Sequence, residues 1–221
     1  MTQQQWSAVD RYITDHLLPQ DDALEAALRA SAEAGLPNIA VSPAQGKMLM
    51  LLARMQRART ILEIGTLGGY STIWLARALP AGGRVVTLEY DPKHAEVARK
   101  NIARAGLSGV VEIVVGAALE TLPKVQARGP FDMFFIDADK PSNPDYFAWA
   151  LRLSRPGSLI IVDNVVRDGA IVDAARSDPP LEGTRRLYEA MAKEPRVTAT
   201  AIQTVGTKGY DGFAMAMVEG G

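Results

Sequence analysis

Short apolar segments alternate with helix-like segments between residues 60 and 164, and this alternation restricts the fold more than any other feature. Short apolar runs bounded by polar residues are typical of strands that are buried on both faces of a sheet. The predicted strands cover residues 61–64, 84–88, 110–115, 133–136 and 159–162. Strands that alternate with helices usually lie parallel, with the helices on both faces of the sheet. The pattern therefore predicts an α/β fold with a doubly wound, mostly parallel sheet.

Helices are predicted before, between and after these strands. Residues 3–35 read as two helices, with Asp21 as the N-cap of the second, and Ser42-Pro43 begins a third helix after a connector at 37–41. The later helices cover residues 70–79, 92–105, 119–125, 146–153 and 181–192. The last two strands, 197–203 and 213–218, are joined by a segment too short for a crossover helix. We therefore expect those two strands to pair antiparallel.

The composition argues against several kinds of site and partner. The 221 residues include no cysteine and only two histidines, so disulfides and thiolate nucleophiles are excluded and a multi-histidine zinc site is disfavoured. The 24 basic and 25 acidic residues give a net charge of −1, which gives no reason to expect nucleic acid or a membrane as a partner. Neither a signal peptide nor an apolar run of about 18 residues is recognisable, so we expect a cytoplasmic protein.

Polar side chains follow two of the predicted strands at the point where each strand ends. Asp137, Asp139 and Lys140 come after the strand 133–136, and Asp163 and Asn164 come after the next strand. The carboxyl ends of neighbouring parallel strands meet at one edge of a sheet, where ligands usually bind. Two carboxylates and an amide carbonyl suit a hard divalent cation such as Mg²⁺, Mn²⁺ or Ca²⁺. A plain solvated loop after each strand is the alternative.

A glycine-rich loop joins the first strand to its helix. Its sequence places Glu63 before Gly65 and spaces the glycines as G-x-x-G-G, not as the G-x-G-x-x-G of dinucleotide sites. An acid at this place suits a cationic ligand better than a pyrophosphate. Glu89 ends the second strand, where an acid accepts hydrogen bonds from ribose hydroxyls, as found in both NAD and S-adenosylmethionine. A tight turn that requires glycine conformations explains the loop as well.

Together these motifs resemble a known family of enzymes. The segment from Glu63 to Ser71, Glu89, the run Asp137-Ala138-Asp139-Lys140 and the pair Asp163-Asn164 are similar to the cation-dependent S-adenosylmethionine O-methyltransferases, the group of caffeoyl-CoA and catechol O-methyltransferases. The resemblance covers residues 36–218. It implies a Rossmann-like class I methyltransferase fold, with seven strands and an antiparallel last strand. It also implies one O-methyltransferase domain over residues 1–221, in which 1–58 form helices that cover the site and 59–221 form the core.

The resemblance assigns roles to individual residues. Asp137, Asp163 and Asn164 match the metal ligands, with Mg²⁺ as the expected cation, and Lys140 matches the general base beside Asp137. The positions that match cofactor contacts are Ile39, Val41, Glu63, Gly65, Thr66, Gly69, Ser71, Glu89, Tyr90, Ala118 and Asp137. His16 and His94 lie outside these motifs and are expected to play no part, and Trp74 and Trp149 are expected in the core.

The implied reaction is methyl transfer from S-adenosylmethionine to a hydroxyl of a vicinal dihydroxy aromatic compound, in a homodimeric enzyme. Arg167 stands where a tryptophan is common in the plant enzymes, so the sequence leaves the identity of the acceptor open. Two other classes of protein are weighed against this one. A nicotinamide-dependent oxidoreductase is disfavoured by the glycine spacing and Glu63, and a non-catalytic adenosyl-binding protein would not need every metal position to be filled.

Overall fold

The structure, a computed structural model, describes residues 2–220, which form seven strands and eight α-helices. The strands are β1 (Thr60–Ile64), β2 (Arg84–Glu89), β3 (Val111–Val115), β4 (Met133–Ile136), β5 (Leu159–Asp163), β6 (Val197–Gly206) and β7 (Gly209–Val218). The helices are α1 (Gln3–Leu17), α2 (Asp22–Glu33), α3 (Pro43–Met55), α4 (Tyr70–Ala76), α5 (Pro92–Arg104), α6 (Ala118–Val125), α7 (Asn143–Leu153) and α8 (Pro179–Lys193). None of the helices in this part of the chain is both long and apolar enough to cross a membrane.

All seven strands belong to one sheet in the order β3-β2-β1-β4-β5-β7-β6. The neighbours from β3 to β5 are parallel, whereas β7 runs antiparallel to both β5 and β6. The predicted fold class, a doubly wound seven-stranded sheet with an antiparallel last strand, is confirmed. Ile136 of β4 pairs with Ile64 of β1 on one side and with Val162 of β5 on the other. This register brings the carboxyl ends of the three central strands to one edge.

The strands bury both of their faces because alternate side chains enter two separate hydrophobic clusters. On one face, Phe134 and Ile136 pack with apolar residues of α6, α7 and α8. On the other face, Met133 and Phe135 pack with residues of α2 to α5. A strand covered on both faces needs apolar side chains in succession, which explains why β4 reads as a continuous apolar run.

Some predicted boundaries are wrong. The helix predicted over 70–79 ends at Ala76, and α7 and α8 begin earlier than predicted, at Asn143 and Pro179. Each of the two early starts places a proline in the first helical turn, where the missing N–H has no helical partner to lose.

The connection predicted over 204–212 is also wrong, because most of it is strand. The β6–β7 pairing continues out to Gly206 and Gly209, which leaves only Thr207 and Lys208 as the turn. Many side chains at this end of β6 are exposed, so no apolar pattern marks the extension. The turn instead rests on the N-terminal part of the chain. Asp10 of α1 accepts hydrogen bonds from the Thr207 N–H (2.6 Å) and hydroxyl (2.9 Å), and Lys208 Nζ donates to the Asn38 carbonyl oxygen (3.3 Å).

Candidate functional site

The glycine-rich loop after β1 lies directly against the end of β4. Gly65 has a φ of +98°, and a Cβ atom added to it would lie 2.1 Å from the Asp137 carbonyl oxygen. Gly69, with a φ of +83°, caps the start of α4. A residue with a side chain would be strained at either position, because only glycine adopts this left-handed backbone conformation easily. Glycine is therefore needed here both for conformation and, at Gly65, for the close approach of two strand ends.

Glu63 is fully buried beneath this loop. Its carboxylate accepts hydrogen bonds from the hydroxyls of Ser71 (2.7 Å), Thr72 and Thr87 (2.7 Å). Burial raises the pKa of Glu63 to about 7, in spite of these three hydroxyl donors. The side chain therefore ties the start of α4 to β1 and β2. The sequence suggested an acid facing a cationic ligand, and in the structure the carboxylate of Glu63 instead bonds to hydroxyls of the protein.

Glu89 organises the same loop from the end of β2. One carboxylate oxygen accepts from the backbone N–H groups of Thr66 (3.0 Å) and Leu67 (2.7 Å), and the other accepts from the N–H of Asp91 (3.0 Å). His94 Nδ1 lies 3.3 Å from this second oxygen. His94, which the sequence treated as a bystander, thus contacts the acid that the family resemblance assigns to the ribose.

The other predicted cofactor positions lie around this edge at different depths. Tyr90 follows Glu89 and is largely exposed. The N–H of Gly116 donates to the Glu89 carbonyl oxygen (2.8 Å), which places the loop that leads to Ala118 beside β2. In the connector before α3, Ile39 is exposed and Val41 is buried. The assignment of these positions to the cofactor stays a prediction.

The proposed metal ligands lie at the ends of β4 and β5. The N–H of Asp137 donates to the Ile64 carbonyl oxygen (2.9 Å), and Lys140 Nζ donates to Asp137 Oδ1 (2.8 Å). Asp163 is 5% exposed, and Asn164 follows it with a φ of +59°. Burial and the nearby charge of Asp137 raise the pKa of Asp163 well above its usual value, against the opposing charge of Lys140. Asp137 and Lys140 thus lie together beside Asp163, and Asn164 follows Asp163 directly in the chain.

This arrangement fits a hard divalent cation. Burial and the charge of Asp137 raise the pKa of Asp163, and a bound cation would offset both effects. Among residues 2–220, no three acid, histidine or cysteine side chains come together as a metal-binding group. A cation here would therefore depend on the amide oxygen of Asn164 as its third protein ligand, beside the carboxylates of Asp137 and Asp163.

The turn that carries Lys140 is held on two sides. A Cβ atom added to Gly183 of α8 would lie 2.2 Å from the Lys140 carbonyl oxygen, so α8 packs directly on the backbone of this turn. The hydroxyl of Tyr146 in α7 donates to Asp139. The Lys140 side chain is only 11% exposed. Its ammonium group is therefore confined to the neighbourhood of Asp137.

The comparison with known proteins identifies the family. The O-methyltransferase family model matches residues 15–216. This chain belongs to the O-methyltransferase family. It is 56% identical over 221 residues to a protein named catechol O-methyltransferase from Niastella koreensis, covering 99% of this chain and 100% of that one. It is 58% identical over 210 residues to a protein of the same name from Mycobacterium tuberculosis, covering 95% and 94%.

Solved structures agree with this assignment. An O-methyltransferase from Bacillus cereus, in complex with SAH, superposes with a TM-score of 0.97 at 58% identity and covers 99% of this chain and 100% of its own. The O-methyltransferase TomG from Streptomyces achromogenes, involved in tomaymycin synthesis and in complex with SAM, has a TM-score of 0.96 at 53% identity, with 100% of both chains covered. The predicted class of enzyme, an S-adenosylmethionine-dependent O-methyltransferase, is confirmed, and the oxidoreductase alternative loses its support.

One further residue of the site was not foreseen from the sequence. The side-chain amide of Gln45 in α3 donates to Asp163 Oδ2 (2.7 Å). The sequence offered only a local signal for Gln45, its place three residues after the helix cap Ser42, and that signal says nothing about a contact with Asp163.

Proposed function

We propose that this O-methyltransferase transfers a methyl group from S-adenosylmethionine to one hydroxyl of a vicinal dihydroxy aromatic compound, in a reaction that requires a divalent cation. The observation that carries the proposal is the pair of strand-end acids, Asp137 and Asp163, placed beside Asn164 at the same edge as the glycine-rich loop. The two relatives named catechol O-methyltransferase, which match nearly the whole chain, support the same class of acceptor.

Asp137, Asp163 and Asn164 would hold the cation, with Mg²⁺ the first choice and Mn²⁺ or Ca²⁺ as alternatives. When bound, the cation would lower the pKa of a coordinated hydroxyl and fix both oxygens of a vicinal diol. Lys140 is the proposed proton acceptor because its side chain is held at the site, and the positive charge of a bound cation would favour its neutral amine over the ammonium form. The acceptor oxygen attacks the methyl carbon, the bond from that carbon to sulfur breaks with its electron pair going to sulfur, and the hydroxyl proton passes to the neutral amine of Lys140.

The cofactor would lie along the ends of β1 and β2. Glu89 would accept hydrogen bonds from the ribose hydroxyls, and the backbone of the loop from Gly65 to Gly69 would contact the methionine part. Ser71, held by Glu63, would complete that side. The remaining proposed contacts, which line the edges of the same site, are Ile39, Val41, Thr66, Tyr90, Ala118 and Asp137.

The N-terminal helices are the proposed cover of the site. Support comes from the contacts of Lys208 with Asn38 and of Gln45 with Asp163, which join residues 1–58 to the core at the β6–β7 turn and at the carboxyl end of β5. We further propose that the protein is a cytoplasmic homodimer that acts on a small molecule. We expect it to bind neither nucleic acid nor membrane, because its net charge is only −1.

Methyl transfer to catechol, measured with and without Mg²⁺, tests the proposal. Replacing Asp163 by Ala removes one ligand, and we expect a loss of about 100-fold or more in kcat/KM because cation chemistry contributes several kcal/mol to the barrier. Asp145→Ala is the matched control, since Asp145 is an exposed acid in the same region. Full activity of Asp163→Ala, or of the wild type in excess EDTA, would rule out the metal-dependent mechanism.

A further inference from the structure

Gln45 makes a contact that its local sequence does not call for. Ser42 caps α3, and its hydroxyl accepts from the Gln45 N–H (3.2 Å). In a Ser-x-x-Gln capping box, the glutamine side chain normally turns back to the N–H of the cap residue. Here the Gln45 amide instead reaches Asp163 Oδ2 at 2.7 Å, across 118 positions of the chain.

The two hydrogen bonds of the Asp163 carboxylate have different origins. Oδ1 accepts from the N–H of Asn164 (2.8 Å), the next residue, so this bond moves together with Asp163. Oδ2 accepts from Gln45, which belongs to another element. The bond from Gln45 therefore ties the orientation of the carboxylate to a second element, α3. Each oxygen keeps a further lone pair that a cation could use.

We infer that Gln45 is a positioning residue for the divalent cation, which it serves by orienting the carboxylate of Asp163. The inference rests on the proposed metal-dependent function. Removal of a group that orients a metal ligand typically lowers the affinity for the metal by about 10–100-fold. The same hydrogen bond links the cation site to the first turn of α3, so binding of the ion stabilises that turn.

Two substitutions at Gln45 test this, each measured by the dissociation constant for Mn²⁺, from the EPR signal of the free ion, without methyl acceptor. Gln45→Leu keeps the volume and removes the donor, and Gln45→Asn keeps the amide but is shorter by one carbon–carbon bond of about 1.5 Å. We expect either variant to bind Mn²⁺ about 10-fold or more weakly, with the affinity for SAH unchanged within about twofold.

Two control variants separate positioning from helix stability. Gln56→Leu removes a comparable amide donor at the other end of α3, where Gln56 donates to the Gly157 carbonyl oxygen, and Ser42→Ala removes the helix cap. We expect Gln56→Leu to bind Mn²⁺ within about twofold of the wild type, and Ser42→Ala to weaken binding less than Gln45→Leu does, because loss of the cap leaves the amide donor in place. Hydrogen exchange gives a second readout, because Mg²⁺ should slow exchange in the first turn of α3 in the wild type and not in Gln45→Leu.

The outcomes distinguish this inference from the function on which it rests. If the wild type binds no Mn²⁺, the proposed metal-dependent function fails and the inference fails with it. If the wild type binds Mn²⁺ and both Gln45 variants bind equally well, only the inference is overturned. Equal weakening in Gln56→Leu and Gln45→Leu also overturns it, because the effect then comes from the stability of α3.

Discussion

Replacing Gly65 by alanine tests how closely the glycine-rich loop must approach β4. The Cβ atom of Gly65→Ala would lie 2.1 Å from the Asp137 carbonyl oxygen and 2.9 Å from its carbonyl carbon. Both atoms belong to the backbone, so no change of side-chain rotamer relieves the overlap. The two strand ends must separate, and the hydrogen bond from the Asp137 N–H to the Ile64 carbonyl oxygen is strained with them.

Gly106→Ala is the matched control for the backbone conformation. Gly106 has a φ of +73°, and no described heavy atom outside its immediate neighbours lies within 4 Å of the added Cβ. The control therefore measures the left-handed strain alone, about 1–2 kcal/mol. Gly65→Ala adds an overpacking cost of about 1–3 kcal/mol and about 1 kcal/mol for the weakened hydrogen bond. We expect Gly65→Ala to be less stable than Gly106→Ala by about 2–4 kcal/mol.

Urea unfolding of the two variants measures this difference directly. For a chain of this length, each kcal/mol corresponds to about 2–4 °C in Tm, so Gly65→Ala should melt about 4–16 °C below Gly106→Ala. Calorimetry should also show weaker binding of S-adenosylmethionine by Gly65→Ala and unchanged binding by Gly106→Ala. If the two variants unfold within about 1 kcal/mol of each other, the close approach at Gly65 is not rigid and the reasoning fails.

Two further predictions concern buried acids. Burial raises the pKa of Glu63 to about 7 from 4.5, so this group favours the folded state below pH 4.5, and that contribution of about 3 kcal/mol is lost as the pH rises through 7. Glu63→Gln should therefore flatten the fall in urea stability between about pH 5 and 8, and an unchanged slope would contradict the assignment. Burial would raise the pKa of Asp132, but N–H donors from Arg59, Arg155 and Thr60 together hold its pKa below 3.8. Asp132→Asn should lose about 1–3 kcal/mol at pH 7, and the difference should begin to shrink near pH 3.8 and vanish only once the pH falls through the lower pKa of the folded state, where the wild-type carboxyl is protonated; a loss that persists at still lower pH would contradict this reasoning.

The strand–helix order and the strand-end acids were readable in the sequence because both depend on short-range patterns. The apolar run 133–136 and the caps Asp21, Ser42 and Asp91 are signals carried within a few residues, and the structure has strands and helices at each of them. The family resemblance also used short motifs.

The hairpin and the role of Glu63 were not readable in the same way. The extension of β6 to Gly206 carries exposed side chains, and what holds its turn in place is Asp10, almost 200 positions earlier in the chain. The sequence suggested that Glu63 faces a cationic ligand, yet its buried carboxylate is surrounded by the hydroxyls of Ser71, Thr72 and Thr87. The periodicity of a single segment contains no information about such partners.

The sequence alone determined which elements form and which acids stand at the ends of β4 and β5, because hydrophobic periodicity and helix caps act over a few residues. Only the tertiary structure decided that Gln45 meets Asp163, that His94 meets Glu89 and that Gly65 meets the backbone of Asp137. Those contacts depend on strand register and on how helices dock on the sheet, and both are set by the packing of segments far apart in the chain.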